Sequence, residues 1–490
     1  MSGHYFLAID LGAESGRAIL GKLENEKIET KEVRRFANAP IQVCGHLHWN
    51  VYSLFEEIKE AMRSCRTDSG IRPESVAVST WGVDFGLLAS NGTLLGLPFA
   101  YRDKRTGGAM EEFFKRVPQE QVYALTGVQF MPFNTLFQLS SMARDKSPLL
   151  DHASDLLFMP DLFTYFLTGE KTGEFTIAST SQLLDPRSRA WSEDLLVTLG
   201  LRPGLMQDVL MPGTVIGSLS TEVAEETGLE GTLVVATAGH DTAAAIAAVP
   251  AEGNDWAYIS SGTWSLLGVE MDEPLITKES MELNFTNEGG VAGTIRFLKN
   301  ITGLWLIRQC RKEWSIREEL SYDKITRLAE NAPSFYAMID PDWPGFLNPP
   351  SMTEAIRQYC LKTGQAPPFL PGQTARLILE SLALKYRFIL EQLRRSTGLT
   401  IEKLHVIGGG SRNRLLCQFT ADATGLPVIA GPAEATATGN IMVQALALGY
   451  VRSLADIRKI IENSVELRTY EPTSGREWGS AYERFQNVIR

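Results

Sequence analysis

Largely apolar, β-like runs over residues 5–9 and 17–20 predict two short strands joined by the small residues Gly12, Ser15 and Gly16. A further β-like run covers 29–36, and apolar residues at helical spacing predict an amphipathic helix over 51–66. Strands follow at 75–80 and 85–88, on either side of Trp81-Gly82-Val83-Asp84, and Asn91-Gly92 is a hairpin turn. The stretch 111–167 is helical in pattern, broken at Pro118, Pro132, Pro148 and Pro160. A buried strand is expected at 232–237 and a helix from Ala243, which leaves Gly239-His240-Asp241-Thr242 at the turn between them.

About half a chain from the first hairpin, residues 256–270 repeat its plan: a strand, a Ser/Gly/Thr turn and a second strand. The repetition predicts two related halves, 1–248 and 249–490, hinged near 249–254. Within the second half, 339–350 reads as a proline-rich surface loop. Residues 376–393 form a long helix with Leu379, Leu382, Tyr386 and Ile389 on one face. An apolar strand from Leu404 then runs into Gly408-Gly409-Gly410 and a helix that Ser411 or Asn413 can cap. From Glu434 a helix of small residues begins, able to pack close to that glycine loop.

Length and composition narrow the picture. A chain of 490 residues, 44% hydrophobic, is ample for two core-bearing domains, because single cores rarely grow past roughly 250–300 residues. The net charge of −11, with no basic run, argues against a nucleic-acid or anionic-membrane surface and favours a small-molecule substrate. Five scattered cysteines with no Cys-x-x-Cys pair read as reduced thiols of a cytoplasmic protein. Neither a signal peptide nor an apolar run of membrane-spanning length is expected.

The first hairpin is written as a phosphate cradle, since the amides of a tight glycine turn point inward. Asp10, at the end of the first strand, supplies a carboxylate able to hold Mg²⁺ directly or through water. A plain β-hairpin with a glycine loop fits the same residues. At Trp81-Gly82 the missing side chain opens room for a ligand beside a flat indole, or else a packed tryptophan adjoins a turn glycine. The triple glycine suits a base or ribose lying on the backbone.

Taken in order and spacing, the first hairpin, Gly239-His240-Asp241-Thr242, Ser260-Ser261-Gly262-Thr263 and Gly408-Gly409-Gly410 resemble the FGGY carbohydrate kinases of the actin-like ATPase superfamily. Within that family the chain is most similar to the branch that phosphorylates L-rhamnulose. The features behind the finer likeness are Thr80-Trp81-Gly82-Val83-Asp84-Phe85, Met131-Pro132-Phe133-Asn134-Thr135-Leu136-Phe137-Gln138, Thr286-Asn287-Glu288-Gly289-Gly290, Leu298-Lys299-Asn300-Ile301 and Gly303-Leu304-Trp305-Leu306. Phe133-Asn134-Thr135 lacks the lysine that many relatives carry there, which disfavours the glycerol and xylulose branches.

The resemblance implies an α/β fold of two actin-like ATPase (ribonuclease H-like) domains. Each would carry a mixed sheet flanked by helices, with the active-site cleft between them. It implies transfer of the γ-phosphoryl of MgATP to the C1 hydroxyl of L-rhamnulose, by a monomer or homodimer. Asp241 would orient and deprotonate the hydroxyl. The same aspartate could instead merely cap its helix. By the same resemblance Gly82, His240, Thr242 and Asn300 hold the sugar. Ala13, Glu14, Ser15, Gly16, Arg17, Thr263, Arg308 and the three glycines hold the nucleotide. Arg308 stands where a relative has glutamine. Tyr101 replaces the tryptophan of a Trp-x-Asp-x-Arg segment that lines the family's sugar pocket, which brings Asp103 and Arg105 into view. Arg17 is also, by charge and position, a partner for the migrating phosphoryl group. Rival readings are a kinase for L-fuculose, L-ribulose or xylulose, and a non-catalytic ATP-switched protein of the actin type.

Overall fold

In the computed structural model, which describes residues 3–316, 319–473 and 475–489, the first apolar run becomes strand β1 (His4–Leu11). It pairs antiparallel with β2 (Ser15–Glu24), which pairs in turn with β3 (Lys27–Ala37). On its other side β1 lies parallel to β4 (Ser75–Thr80), and β5 (Thr214–Ser218) and β6 (Leu233–Ala236) complete a sheet ordered β5-β6-β4-β1-β2-β3. Parallel crossovers are what the continuous apolar runs call for.

Two helices show how the sheet's faces are covered. Helix α1 (Val51–Ser69) buries Leu54, Ile58, Ala61, Met62 and Cys65, spaced three or four apart. Fully burying each of the larger ones is worth roughly 1.5–3 kcal/mol. Asn50 caps its start, and the helix runs past the expected Arg66 because Gly70, at φ 65°, is the residue able to take the left-handed ending. Beyond Phe158, α2 (Met159–Thr168) packs on β4 and β6.

The second sheet is built from β7 (Trp256–Ser261), β8 (Trp264–Met271), β9 (Ile295–Thr302), β10 (Lys403–Ile407), β11 (Val428–Ala430) and β12 (Arg468–Tyr470). With the short strand Thr286–Gly289 at the edge beside β9, their order is β9-β8-β7-β10-β11-β12. It repeats the antiparallel hairpin beside a parallel strand, since β7 runs antiparallel to β8 and parallel to β10. The long helix α4 (Pro371–Thr397) buries Leu379, Leu382, Tyr386 and Ile389 as the periodicity requires.

The chain divides into two units. The first is Met1–Glu252 with Glu270–Phe297 and Ala435–Val465, and the second is Gly253–Val269 with Leu298–Glu434 and Glu466–Arg490. The first therefore includes α6 (Ala435–Ala447), the small-residue helix, which packs on α3 (Asp241–Ala247). A Cβ at Gly439 would lie 1.8 Å from the Ala244 carbonyl oxygen, so glycine permits the close crossing. Between them in sequence, α5 (Arg414–Thr424) follows the glycine loop in the second unit.

The stretch 339–350 is not the surface loop its prolines suggest. Ile339 and Phe346 are fully buried. Asp340 and Asp342 turn inward to hold the Lys385 ammonium at 2.8 and 3.0 Å, and Asp342 also accepts from the Thr302 amide. Paired in this way, charges can leave solvent. All five cysteines are free thiols. Among the described residues, no helix is long and apolar enough to cross a membrane.

Candidate active site

In the first unit, strand pairing gathers the candidate residues at one edge of the sheet. Asp10 is opposite Ser79 in the parallel pair β1–β4, and the Thr80 amide donates to the Gly239 carbonyl at 2.8 Å. Asp10, Trp81-Gly82 and Gly239-His240-Asp241 thus follow the carboxyl ends of neighbouring strands, where ligands of open α/β sheets bind.

The hairpin turn is closed by the Gly12 amide donating to the Ser15 carbonyl at 3.0 Å, and the Asn38 side chain donates to the Gly12 carbonyl at 2.7 Å. A Cβ at Gly16 would lie 2.1 Å from the Phe36 ring, so that glycine is required by packing rather than by the approach of an anion. Asp10 is almost fully buried and ion-pairs with the Arg17 guanidinium across the β1–β2 register.

After β4, Val83 takes φ 68°, costly for a β-branched residue. Thr180 holds it by accepting from its amide at 3.1 Å, and Thr135 by donating to its carbonyl at 2.7 Å. The kink aims Asp84 inward, where it accepts from the indoles of Trp49 (2.6 Å) and Trp81 (2.9 Å), the Tyr101 amide (3.1 Å) and Gln138 (3.0 Å). Burial pushes its carboxyl up to about 6, with these four donors working against that rise. Trp81 is therefore packed, with its ring 4.2 Å from that of Trp49. Asp103 and Arg105 also serve structure. Asp103 accepts from His46 and from the Leu47 and Arg105 amides, while Arg105 donates to Gln138 at 2.5 Å and lies over the Phe99 ring. Burial lowers the Arg105 guanidinium to about 10.

Asp241 is the first residue of α3, and His240 is its N-cap. The Asp241 carboxylate does not cap the helix: Oδ1 accepts from the Thr242 hydroxyl at 3.0 Å and faces His240 Nε2 at 3.5 Å. Its side chain is 29% exposed, and among the described residues no hydrogen bond reaches Oδ2. This leaves one oxygen able to meet an incoming hydroxyl. The turn itself is held by Glu174, whose Oε2 accepts from the Gly239 amide at 2.9 Å, and by Thr176, whose hydroxyl accepts from the His240 amide at 3.1 Å. A Cβ at Gly239 would lie 2.9 Å from that carboxylate oxygen, which explains the glycine.

The second unit carries the other candidates. The Gly303 amide donates to the Thr263 carbonyl at 3.2 Å and the Leu304 amide to the Gly262 carbonyl at 2.9 Å. These bonds join the Thr263 turn to the turn after Asn300, and Arg308 lies one turn into the helix that follows, its guanidinium lowered by burial. Parallel pairing of β7 with β10 sets Ser261 beside the glycine loop, where a Cβ at Gly410 would lie 2.0 Å from its Oγ. A Cβ at Gly409 would meet nothing within 4 Å, so of the three glycines this one leaves open backbone. Asn413, not Ser411, caps α5, accepting from the Leu416 amide at 3.1 Å.

Models of the N- and C-terminal domains of the FGGY family of carbohydrate kinases match residues 5–248 and 257–448. The chain belongs to this family. It is 48% identical over 485 residues to a rhamnulokinase of Bacteroides thetaiotaomicron, covering 99% of each chain. It is also 40% identical to one of Halalkalibacterium halodurans, covering 95% of this chain and 98% of that one. Its fold matches the crystal structures of a gluconate kinase and a ligand-bound xylulose kinase, both from Lactobacillus acidophilus. The TM-scores are 0.80 and 0.78 at 16% and 15% identity, over 100% and 99% of this chain and 96% of each of those. As an FGGY kinase it is a phosphotransferase with an alcohol acceptor, and its two α/β units carry mixed sheets flanked by helices.

Sequence reasoning assigned this FGGY chain no role for Glu174, Glu288 or Arg296. Glu288 and Arg296 form a buried ion pair at 3.2 Å against His240. A charged residue inside the apolar run Ile295-Arg296-Phe297-Leu298 was the available signal. Glu174 carries none, because its local partners, the Thr176 hydroxyl and the Thr176 and Ile177 amides, are those of an ordinary helix cap, and only the fold brings the Gly239 amide to it.

Proposed function

We propose that the chain transfers the γ-phosphoryl group of MgATP to the C1 hydroxyl of L-rhamnulose in the cytoplasm, with Asp241 as general base. The observation carrying this reading is the near full-length identity to proteins named rhamnulokinase. Asp241 Oδ2 accepts the proton of the attacking hydroxyl while Thr242 holds Oδ1 in place. Little covalent work falls to a protein in phosphoryl transfer, so orienting the hydroxyl and neutralising charge are the main tasks.

In the first unit, Gly82, His240 and Thr242 face the sugar, and Ala13, Glu14, Ser15, Gly16 and Arg17 face the phosphates. In the second, Asn300 faces the sugar, while Thr263, Arg308 and Gly408, Gly409 and Gly410 take the nucleotide. Asp10 would offer a hard cation one carboxylate at a strand end, in exchange for the Arg17 guanidinium with which it ion-pairs. Mg²⁺ bound there, directly or through water, would supply neutralisation of phosphate charge.

Coupled ADP release over a panel of ketoses and polyols tests the reading. Turnover should be fastest on L-rhamnulose. Faster turnover on L-fuculose, L-ribulose or xylulose would assign another ketose, and ADP release independent of every sugar would remove the kinase reading.

A further inference from the structure

We propose that Arg296, with Glu288 as its buried counter-charge, is a positioning residue that holds His240 in the Nε2–H tautomer, so that the ring presents a donor beside Asp241 to an oxygen of the acceptor sugar. The tautomer half stands on the geometry of the first unit alone, and the sugar half rests on the function proposed above.

Arg296 has no exposed side-chain surface. Its Nε donates to the Gly289 carbonyl at 2.8 Å, which fixes the plane of the guanidinium, and its terminal NH2 lies 3.2 Å from His240 Nδ1. A guanidinium nitrogen only donates, so the contact is favourable when Nδ1 carries a lone pair. The ring proton then sits on Nε2, the nitrogen 3.5 Å from Asp241 Oδ1. Glu288 Oε2 is 3.4 Å from the same Nδ1 and 3.2 Å from Arg296. The guanidinium contact is the shorter and has hydrogen-bond geometry, whereas Glu288 Oε2 makes no hydrogen bond to the ring. Burial works to raise the Glu288 carboxyl, and the positive charge of the Arg296 guanidinium works against that rise. Ionised Glu288 is thus the counter-charge that a fully buried guanidinium requires. The His240 amide, tied to Thr176, fixes the backbone that carries the ring.

Two-bond ¹⁵N–¹H correlation spectra of the full chain labelled at its six histidines read the tautomer directly, with His240 assigned by its loss in His240→Gln. In the ligand-free wild type, Nε2 should carry the proton. In Arg296→Met the two tautomers should mix. The kcat/KM for L-rhamnulose should fall about tenfold or more while the KM for ATP stays within about twofold. Arg296→Gln, whose carboxamide can accept as well as donate, makes the same test if the methionine variant does not fold. An Nδ1–H proton in the wild type overturns the proposal, as does an unmixed Nε2–H tautomer in either folded variant. Mixed tautomers with unchanged sugar kcat/KM overturn its sugar half. A protein that shows the expected tautomer shift yet phosphorylates no sugar refutes the proposed function and leaves the tautomer assignment standing.

Discussion

Asp84 and Asp241 both stand just beyond a parallel strand of the same sheet, each in a short motif with a glycine two residues before it, yet the fold treats them in opposite ways. Asp84 is fully buried and accepts from four donors, two of them indoles. Asp241 has one hydroxyl on one oxygen and a side chain 29% exposed. A carboxylate whose lone pairs are saturated by fixed donors cannot take a proton from a visiting alcohol, whereas one with an open oxygen can. Saturation and exposure, rather than motif, separate the framework carboxylate from the chemical one. Each substitution below tests that separation.

Asp241→Asn should have the largest effect. The amide oxygen can still accept from Thr242, but the second position becomes a donor. Turnover should fall by about 10²-fold or more, the lower range for loss of a general base, with ATP affinity by calorimetry nearly unchanged. Unchanged turnover would place Asp241 with Asp84 in the framework. Asp84→Ala should do the reverse and act on stability, because it strands two indole N–H groups and the Tyr101 amide in a dry site. The expected loss is about 3 kcal/mol, read as a lower urea midpoint. Asp84 also predicts a pH signature. Its carboxyl titrates at about 6 in the fold against 3.8 ordinarily, so between those values the native state holds the extra proton and stability from this group falls as pH rises. The shift is worth up to about 3 kcal/mol. Asp84→Asn stays neutral, so the wild type's advantage over it should shrink from pH 4 towards pH 7. An advantage growing over that range would contradict the assignment.

The same contrast marks what the sequence could reveal. Strands, the 51–66 helix and the long helix over 376–393 were legible because apolar periodicity is a local property. The motifs around Gly82, Asp241, Thr263 and Gly408 were legible as glycine and polar punctuation at strand ends. The reasons behind individual residues were not. Gly16 reads as room for an anion and is in fact filled by Phe36, twenty residues on. Asp340 and Asp342 read as a surface loop because their cation, Lys385, lies on a helix some forty residues away. His240 reads as a lone histidine because Arg296 and Glu288 meet it only in three dimensions. In each case the deciding partner is distant in sequence, and spacing carries no trace of it.

Thr242→Val is a milder test of Asp241. Valine keeps the volume and removes the hydroxyl that holds Oδ1. Losing one such bond, about 1 kcal/mol, should lower turnover roughly fivefold with folding stability close to that of the wild type. A loss as large as that of Asp241→Asn would mean that Thr242 itself takes part in the chemistry.

Gly82→Ala should have the smallest effect and probes whether the Asp84 framework serves the sugar. A Cβ there would lie 3.3 Å from Thr180 Cγ2 and Oγ1, tight enough that Thr180 must yield by a few tenths of an ångström. Thr180 has little room to yield, since its hydroxyl donates to the Ile177 carbonyl at 2.8 Å and accepts from the Val83 amide at 3.1 Å. The displacement therefore passes to Val83, already in the left-handed region, and through it to the loop carrying Asp84. If that loop floors the sugar pocket, the KM for L-rhamnulose should rise about threefold, well under 1 kcal/mol, with kcat and the KM for ATP within about twofold. A fall in kcat with sugar KM unchanged would move Gly82 out of the framework and to the reacting centre, erasing the line drawn between the two aspartates.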